Sequence, residues 1–583
     1  MFVANDRHLQ MSMFGSINSL PKKIRKRLEA SWAGTFYQHI FVRIDENRFA
    51  VLYSDEPSRP NIPVNVLVGL EILKSGFGWS DEEMYDHFCY DVQVRYALGY
   101  RDLSEGHFEL RTIYNFRQRL TQHMQATGEN LFERVFEQVT DEQLAAFELK
   151  TNKLRMDSTL IASNIREMSR LQLLVEVLQR VHRMLNEEDQ SQYAEAFAPY
   201  LKGSSGQYIY HLKAGGVAGH LQGVGELMAQ LTDELAVRYG DEPAYQVLQR
   251  VFQEHFHVDE AALRPKAGEE LKASSLQSPD DWEATYRQKR GEEHKGYVAN
   301  VTETCNPENE MQLIVKVQTE PNNSDDAAML NEVLPGLKER TDVDEMHTDG
   351  GYNSPDVDQT MRELGIAQIQ TAIRGRKPSA EKLHLDAFAW ELDDDGRPRA
   401  VTCPHGQQAE VTPGRSEGRY CAAFEAAGCE GCPFLDSCPT EPLKRTPKRV
   451  LRFSQQEVDL ALRRQRSAEA RASGQNLRSA VEATVRSVKH PFDNGKVPVR
   501  GQSRVSMVML ASAAMSNLRR IQRFLAEKSA QQAEKDSQRG TAHDTGESGS
   551  SFLGSLWRHV QATCACSLLL NPLGTLKSAS FFR

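Results

Sequence analysis

The chain has 583 residues, 40% of them apolar and 26% charged, and a formal net charge of −10. Its longest clean apolar stretch, residues 505–515, is well short of the roughly 20 residues a membrane helix needs, and residues 1–13 lack the basic-then-apolar layout of a secretory signal. Nine cysteines, an odd number in so long a chain, cannot form a disulfide scaffold, so the composition excludes membrane, secreted and fibrous classes and leaves a multidomain, soluble, cytoplasmic protein.

In chain order, the first feature is a basic run, Lys22, Lys23, Arg25, Lys26 and Arg27, which fits either a polyanion contact or a solvated helix face. After Pro63, Val64, Leu67, Val68 and the apolar positions of 70–73 recur at helical spacing. A second helix opens at Ser80, where Glu83 completes a capping-box pattern. A third, over 112–120, places Ile113, Phe116 and Leu120 on one face and leaves Arg111, Arg117 and Arg119 for contacts elsewhere. These helices belong to an all-α N-terminal domain over 15–130. They fit either a helix-turn-helix-like reader that touches DNA through Arg117 and Arg119, or a structural cap.

Residues 153–161 read as a strand with one acid, Asp157, inside an apolar run. An unpaired carboxylate there is costly, and either a metal or a salt bridge would offset the cost. Leu171, Leu174, Leu178, Val181 and Leu185 then step by three and four, and helical patterning continues past Val251, giving a helical insertion over 165–280. Strand signals return at 296–301 and 312–317, followed by a helix over 325–337. Residues 344–352 read as a strand that ends on Asp349 and a Gly350-Gly351 turn, where the backbone can approach a ligand closely; ordinary turn chemistry explains the same residues. A helix starts near Ser354-Pro355, and 367–372 is one more strand. This order predicts a mixed α/β sheet with helices packed on it.

Residues 375–450 are rich in charge, glycine, proline and cysteine. Cys429-x2-Cys432-x5-Cys438 follows Cys403-Pro404-His405-Gly406, and thiolates beside turn residues suit a tetrahedral Zn²⁺. The expected ligands are Cys403, Cys429, Cys432 and Cys438, with Cys421 or His405 in reserve; free cysteines are the plain alternative. Residues 441–520 carry 17 Lys and Arg against 6 Asp and Glu, a local charge of +11 that leaves −21 for the remainder. Within this tract Arg478, Glu482 and Lys489 share one helix face. An acid among cations suits metal-assisted phosphoryl transfer, with carboxylates holding metal and cations holding phosphate. The tail over 533–583 contains a polar, Ser/Gly-rich stretch expected to be disordered.

With these residues in place, the sequence resembles the DDE transposases of bacterial insertion sequences, most like insertion-sequence family 1182. That family's third-acid signature is Tyr-x2-Arg-x3-Glu-x6-Lys; Arg478, Glu482 and Lys489 match it, and Gln475 stands at the tyrosine position. Asp157-Ser158-Thr159 and His347-Thr348-Asp349-Gly350-Gly351-Tyr352 look like the first and second acids. Residues 60–120, including Leu98-Gly99 and Phe116-Arg117, resemble the family's N-terminal helical domain, and 284–297 its approach to the second strand. The likeness covers roughly residues 15–525.

The resemblance implies a ribonuclease-H-like α/β catalytic domain over 148–525, interrupted by the helical insertion and by a cysteine-rich insertion over 375–450. It implies two Mg²⁺ (or Mn²⁺) ions held by Asp157, Asp349 and Glu482, and DNA cleavage and strand transfer by attack of water or a DNA 3′-hydroxyl. Arg478, Arg486 and Lys489 would contact DNA phosphates. The partners implied are the element's terminal inverted repeats, target DNA and further copies of the chain, as a homodimer or larger assembly in the bacterial nucleoid. Similar transposases carry a comparable cysteine-bearing insertion, which implies a structural role for the Zn²⁺. Two other readings stand beside this one: a non-catalytic, zinc-containing DNA-binding protein derived from a transposase, and a nuclease of the same fold without joining activity.

Overall fold

The computed structural model describes residues 1–542 apart from 10–14, 55, 57–58, 213–215, 260–261, 372, 374–378, 380, 394 and 474–476. Residues 1–522 form one compact unit, and residues from 523 onward form a second.

The N-terminal region is helical, with α1 (Lys22–Glu29), α2 (Val64–Phe77), α3 (Asp81–Tyr90), α4 (Leu110–Thr127) and α5 (Leu131–Ala146). α2 is buried on every side through Gly76, because its residues are almost all apolar or small, and it forms a centre rather than an amphipathic edge. A Cβ at Gly76 would meet Met515 Cγ at 2.1 Å, so glycine lets two helices touch there. Gly78, at φ +74, ends α2 in the left-handed region, and α3 opens with the Ser80–Glu83 capping box that the spacing predicts.

A six-stranded sheet follows: β1 (Lys153–Ala162), β2 (Thr285–Lys289), β3 (Glu292–Thr304), β4 (Ile314–Pro321), β5 (Glu345–Thr348) and β6 (Ala367–Gln370). The strands run β2–β3–β1–β5–β6, with β4 also on β3. β3 is antiparallel to β1, β2 and β4, whereas β1, β5 and β6 are parallel. The predicted element order is observed, with β2 as an additional strand. Between β1 and β2, helices α6 (Arg170–Met184), α7 (Val217–Tyr239) and α8 (Pro243–His255) close around their own core, which includes Leu174, Leu178, Met228, Leu231, Leu248 and Val251. A two-stranded hairpin, Phe256–Asp259 with Ala262–Pro265, follows these helices, so the region is not wholly helical. α9 (Asp326–Arg340) joins β4 to β5, and α10 (Pro355–Glu363) joins β5 to β6 with Ser354 as its N-cap.

The cysteine-bearing region holds structure that its composition hides. β7 (Ala389–Leu392), β8 (Pro398–Thr402), β9 (Gln408–Pro413), β10 (Arg419–Glu425), β11 (Glu441–Pro442) and β12 (Lys448–Ser454) form an antiparallel sheet in the order β11–β12–β10–β9–β8–β7. Its core is small, built on Phe388, Val401, Phe424, Leu451 and Phe453. The helical signal over 454–490 divides into α11 (Gln455–Ala472) and α12 (Val481–Lys489). The last helix, α13 (Gln502–Ala542), runs past the expected start of a disordered tail at 533; residues 543–583 lie outside the described residues.

One hydrophobic core runs from Ile17 through α2, α4 and α5 to Tyr297, Val301, Ile314 and Val317 of the sheet, and on to Met509 and Leu518 of α13. The N-terminal helices are therefore packed as part of the sheet's core rather than as a separate 15–130 domain. No helix among the described residues is long and apolar enough to cross a membrane.

Candidate active site

Two acids meet because two parallel strands share a register. Arg155 of β1 lies opposite His347 of β5, and Asp157 and Asp349 each lie two residues beyond that pair. Each carboxylate is fixed by its own backbone: Asp157 Oδ1 accepts from the Ser158 N–H at 3.0 Å, and Asp349 Oδ1 accepts from the Gly351 N–H at 2.7 Å. The Gly-Gly sequence after Asp349 thus forms an Asx-type turn. α12 packs against β1 and carries Glu482 in its first turn.

Arg478, in the turn before α12, gathers all three acids. Its Nη2 lies 3.1 Å from Asp157 Oδ2 and 4.0 Å from Asp349 Oδ2, and its Nη1 lies 3.6 Å from Glu482 Oε1. Asp157 is thus paired with a guanidinium, one of the two ways in which the cost of its burial can be offset. The side chains grade from inside to outside, with Asp157 15%, Asp349 38% and Glu482 67% exposed. Burial pushes the Asp157 carboxyl above the ordinary aspartate range, and the Arg478 charge opposes this without cancelling it. Arg478 itself is only partly bonded, since its buried Nε has no hydrogen-bond partner among the described residues.

The donor chemistry suits a hard divalent cation: three carboxylates on a strand, a strand end and a helix, two of them backbone-anchored with the second oxygen free of backbone bonds. Their spacing, however, is set around a guanidinium. Among the described residues no group of three His, Cys, Asp or Glu side chains stands close enough to hold a metal ion.

A second cluster, absent from the sequence reading, holds α12 in place. Glu303 of β3 is fully buried and accepts from Arg155 Nε at 2.7 Å, from Thr484 Oγ1 at 2.8 Å and from Arg520 Nη1 at 2.6 Å. Arg155 also donates from Nη1 to the Leu477 carbonyl at 2.7 Å, which fixes the turn that carries Arg478. A charge pair across β1 and β3 ties both the helix of Glu482 and α13 to the sheet. The available signal was a charged residue of opposite sign in each of two strands, Arg155 between Leu154 and Met156 and Glu303 two residues after Val301.

The predicted DNA contacts separate. Lys489 Nζ donates to Leu160 O at 2.9 Å and Thr159 Oγ1 at 3.2 Å, docking the end of α12 onto β1; burial, and Lys289 nearby, lower its pKa. Arg486 is exposed, and Arg119 is exposed with its guanidinium 5.0 Å from the Tyr53 ring centre. Arg117 requires correction: its Nε–Glu71 contact is 2.7 Å and its Nη2–Asp81 contact 2.7 Å, which commits it to the interior of the helical region rather than to a DNA surface. Gln475, at the family's tyrosine position, lies outside the described residues. The +11 tract is also less bare than its count implies, because Arg452, Arg463, Arg500 and Arg520 pair with Glu441, Asp358, Asp280 and Glu303.

The four expected zinc ligands line one cavity of about 20 Å³ together with His405; Cys421 does not line it, and lies instead 3.2 Å from Thr412 Oγ1. Around this cavity the Gln407 N–H donates to Cys403 Sγ at 3.3 Å and Gly406 N–H to Cys403 O at 2.9 Å, so the Cys-Pro-His-Gly segment is a tight turn about a sulfur. The thiols converge without reaching coordination spacing. Cys305 is buried, and Cys89 is partly buried against the main core.

Comparison with known families gives two matches. Residues 402–522, spanning the cysteine region, Arg478 and Glu482, match a transposase DDE domain, and residues 26–119 match a transposase domain (DUF772). No curated protein and no solved structure matches the chain. The matches fall on the two flanks of one continuous core, and together they support a DDE transposase.

Proposed function

We propose that the chain cuts and joins DNA strands at the ends of a mobile element, using Asp157, Asp349 and Glu482 on a ribonuclease-H-like sheet. The observation that carries this reading is the convergence of those three carboxylates, from distant parts of the sequence, on one guanidinium. The strand arrangement supports it, with β4–β3–β1–β5–β6 having one antiparallel member, β3, between β4 and the parallel set. The narrower likeness to insertion-sequence family 1182 rests on the Arg-x3-Glu-x6-Lys spacing together with the Asp157-Ser158-Thr159 and His347–Tyr352 segments and the stretches 60–120 and 284–297.

In this chemistry an oxygen of water, or later a DNA 3′-hydroxyl, forms a bond to phosphorus as the bond to the leaving DNA oxygen breaks. A divalent cation at the carboxylates would neutralise charge on the attacked phosphate and acidify the nucleophile. Asp157 and Asp349 supply rigid oxygens, Glu482 supplies an exposed one, and Arg478 and Arg486 supply positive charge beside the site for a phosphate backbone. A dimer or larger assembly would bring two DNA ends together.

The test uses duplexes taken from the DNA flanking the coding region, with Mg²⁺ or Mn²⁺, scored for both cutting and joining. Glu482→Gln and Asp157→Asn are expected to lower both by at least about a thousandfold. Wild-type activity in Glu482→Gln removes the third acid from the assignment. Cutting without joining favours the nuclease, and salt-sensitive binding with neither favours the non-catalytic protein.

The cysteine module is proposed to close around structural Zn²⁺ through Cys403, Cys429, Cys432 and Cys438, on the strength of their shared cavity. Metal analysis is expected to find about one Zn²⁺ per chain, and its removal by a chelator to lower the melting temperature. Metal-free protein with unchanged melting refutes it.

A further inference from the structure

The proposed reaction needs a cation among three carboxylates, and the structure already has one there. We propose that Arg478 is the resident counter-ion of the acidic site, and that DNA phosphate, by drawing the guanidinium away, opens the site to a divalent cation. This inference rests on the reading of the site as a metal-dependent DNA-cutting centre.

Three observations carry it. First, the guanidinium occupies the shared space. The Oδ2 atoms of Asp157 and Asp349 face one nitrogen, Nη2, and Glu482 Oε1 faces Nη1. A small divalent ion bonds carboxylate oxygen at roughly 2.0–2.6 Å, so these oxygens must close inward to hold it, and a guanidinium between them prevents that.

Second, Arg478 is weakly held. Its contacts with the three acids all exceed the roughly 2.7–2.9 Å of a good charge-assisted hydrogen bond, and its Nε is buried without a partner among the described residues. A DNA phosphate offers two non-bridging oxygens that the guanidinium fork can engage through two nitrogens at once.

Third, the side chain can move while the backbone stays. Leu477 O is held by Arg155, and the Val481 N–H donates to Arg478 O at 2.9 Å, so the turn is fixed on both sides of the residue. Withdrawing the guanidinium alone leaves three facing negative charges, so its departure favours the arrival of another cation. DNA and divalent metal therefore bind with positive cooperativity, and metal binding to the free protein is weak.

The experiment is a Mn²⁺ titration of the full chain, read by the electron paramagnetic resonance of free Mn²⁺, with and without a short DNA duplex. Wild-type affinity for Mn²⁺ is expected to rise about tenfold or more when the duplex is bound. Arg478→Gln is expected to bind Mn²⁺ without DNA nearly as tightly as wild type with DNA, and to lose the cooperativity. Arg478→Lys, with a shorter reach and the same charge, falls between them and serves if the glutamine variant does not fold. Equal wild-type affinity with and without duplex, or no gain in either variant, overturns the inference. Glu482→Gln separates the two levels. Mn²⁺ binding that ignores this substitution, or is absent throughout, sinks the site reading itself; binding that needs Glu482 yet ignores DNA and Arg478 sinks only the displacement.

Discussion

Two arginines in this molecule each gather carboxylates, and they do so in opposite ways. Arg117 meets Glu71 at 2.7 Å and grips Asp81 through two nitrogens at 2.7 and 3.0 Å, while Lys74 reaches the same aspartate at 2.6 Å. Arg478 meets its three acids at 3.1, 3.6 and 4.0 Å and leaves Nε unbonded among the described residues. The acids respond accordingly. Burial alone would raise the Asp81 carboxyl, but Arg117 and Lys74 outweigh it and hold it at about 2, whereas burial keeps Asp157 above its ordinary value despite Arg478. A structural ion cluster saturates its donors. The candidate site keeps bonding capacity unused, which is what a place for phosphate and metal requires.

The largest effect that can break this contrast is on stability. Arg117→Met removes the partner of Glu71, whose side chain is 2% exposed, and strands a buried charge. A loss of about 3–5 kcal/mol is expected in a urea melt. Arg478→Met removes a guanidinium whose contacts are long, so it is expected to cost clearly less than Arg117→Met, although it leaves Asp157 without its partner. Equal losses in the two variants would mean that Arg478 is a structural arginine like Arg117, and the distinction between the clusters would fall.

How much of this was legible in the sequence follows from the physics of each element. Strands and helices around Asp157 and Asp349 were readable because burial imposes strict apolar patterns: β1, β3, β4, β5 and β6 lie near their predicted places. Asp157 stands out in the sequence because a charge in an apolar run is an anomaly, and Asp349 because it precedes a Gly-Gly turn. By the same reasoning Arg155 and Glu303 could have been found, but a cross-strand pair is defined by register, which local pattern does not reveal. The second sheet, over 389–454, was hidden because its strands are only two to seven residues long and bury few side chains each. The sequence leaves Arg117 open between a DNA reader and a structural cap for a related reason. Its partners, Glu71 and Asp81, sit on other helices, and a helix face that looks solvated in isolation becomes an interior one on packing.

The smallest effect separates the clusters by sign. Asp81 has an ordinary value of 3.8 and a folded value of about 2, so the unfolded chain binds more protons between them. Its contribution is complete above pH 3.8 and is lost as pH falls toward 2. Asp81→Asn, compared with wild type across that window, is expected to lose about 1–2 kcal/mol at neutral pH and to converge with wild type near pH 2. For Asp157 the folded value is raised, so the folded chain binds the extra proton and the ionised form is a burden above that value. Asp157→Asn is therefore expected to leave neutral-pH stability unchanged or higher, the difference fading as pH falls toward and below 3.8. Many of the 80 acidic residues titrate in the same range, so the difference between variant and wild type is the quantity to follow, not either curve alone. If Asp157→Asn destabilises at neutral pH as Asp81→Asn does, Asp157 is a structural acid, and its burial beside Arg478 needs no catalytic explanation.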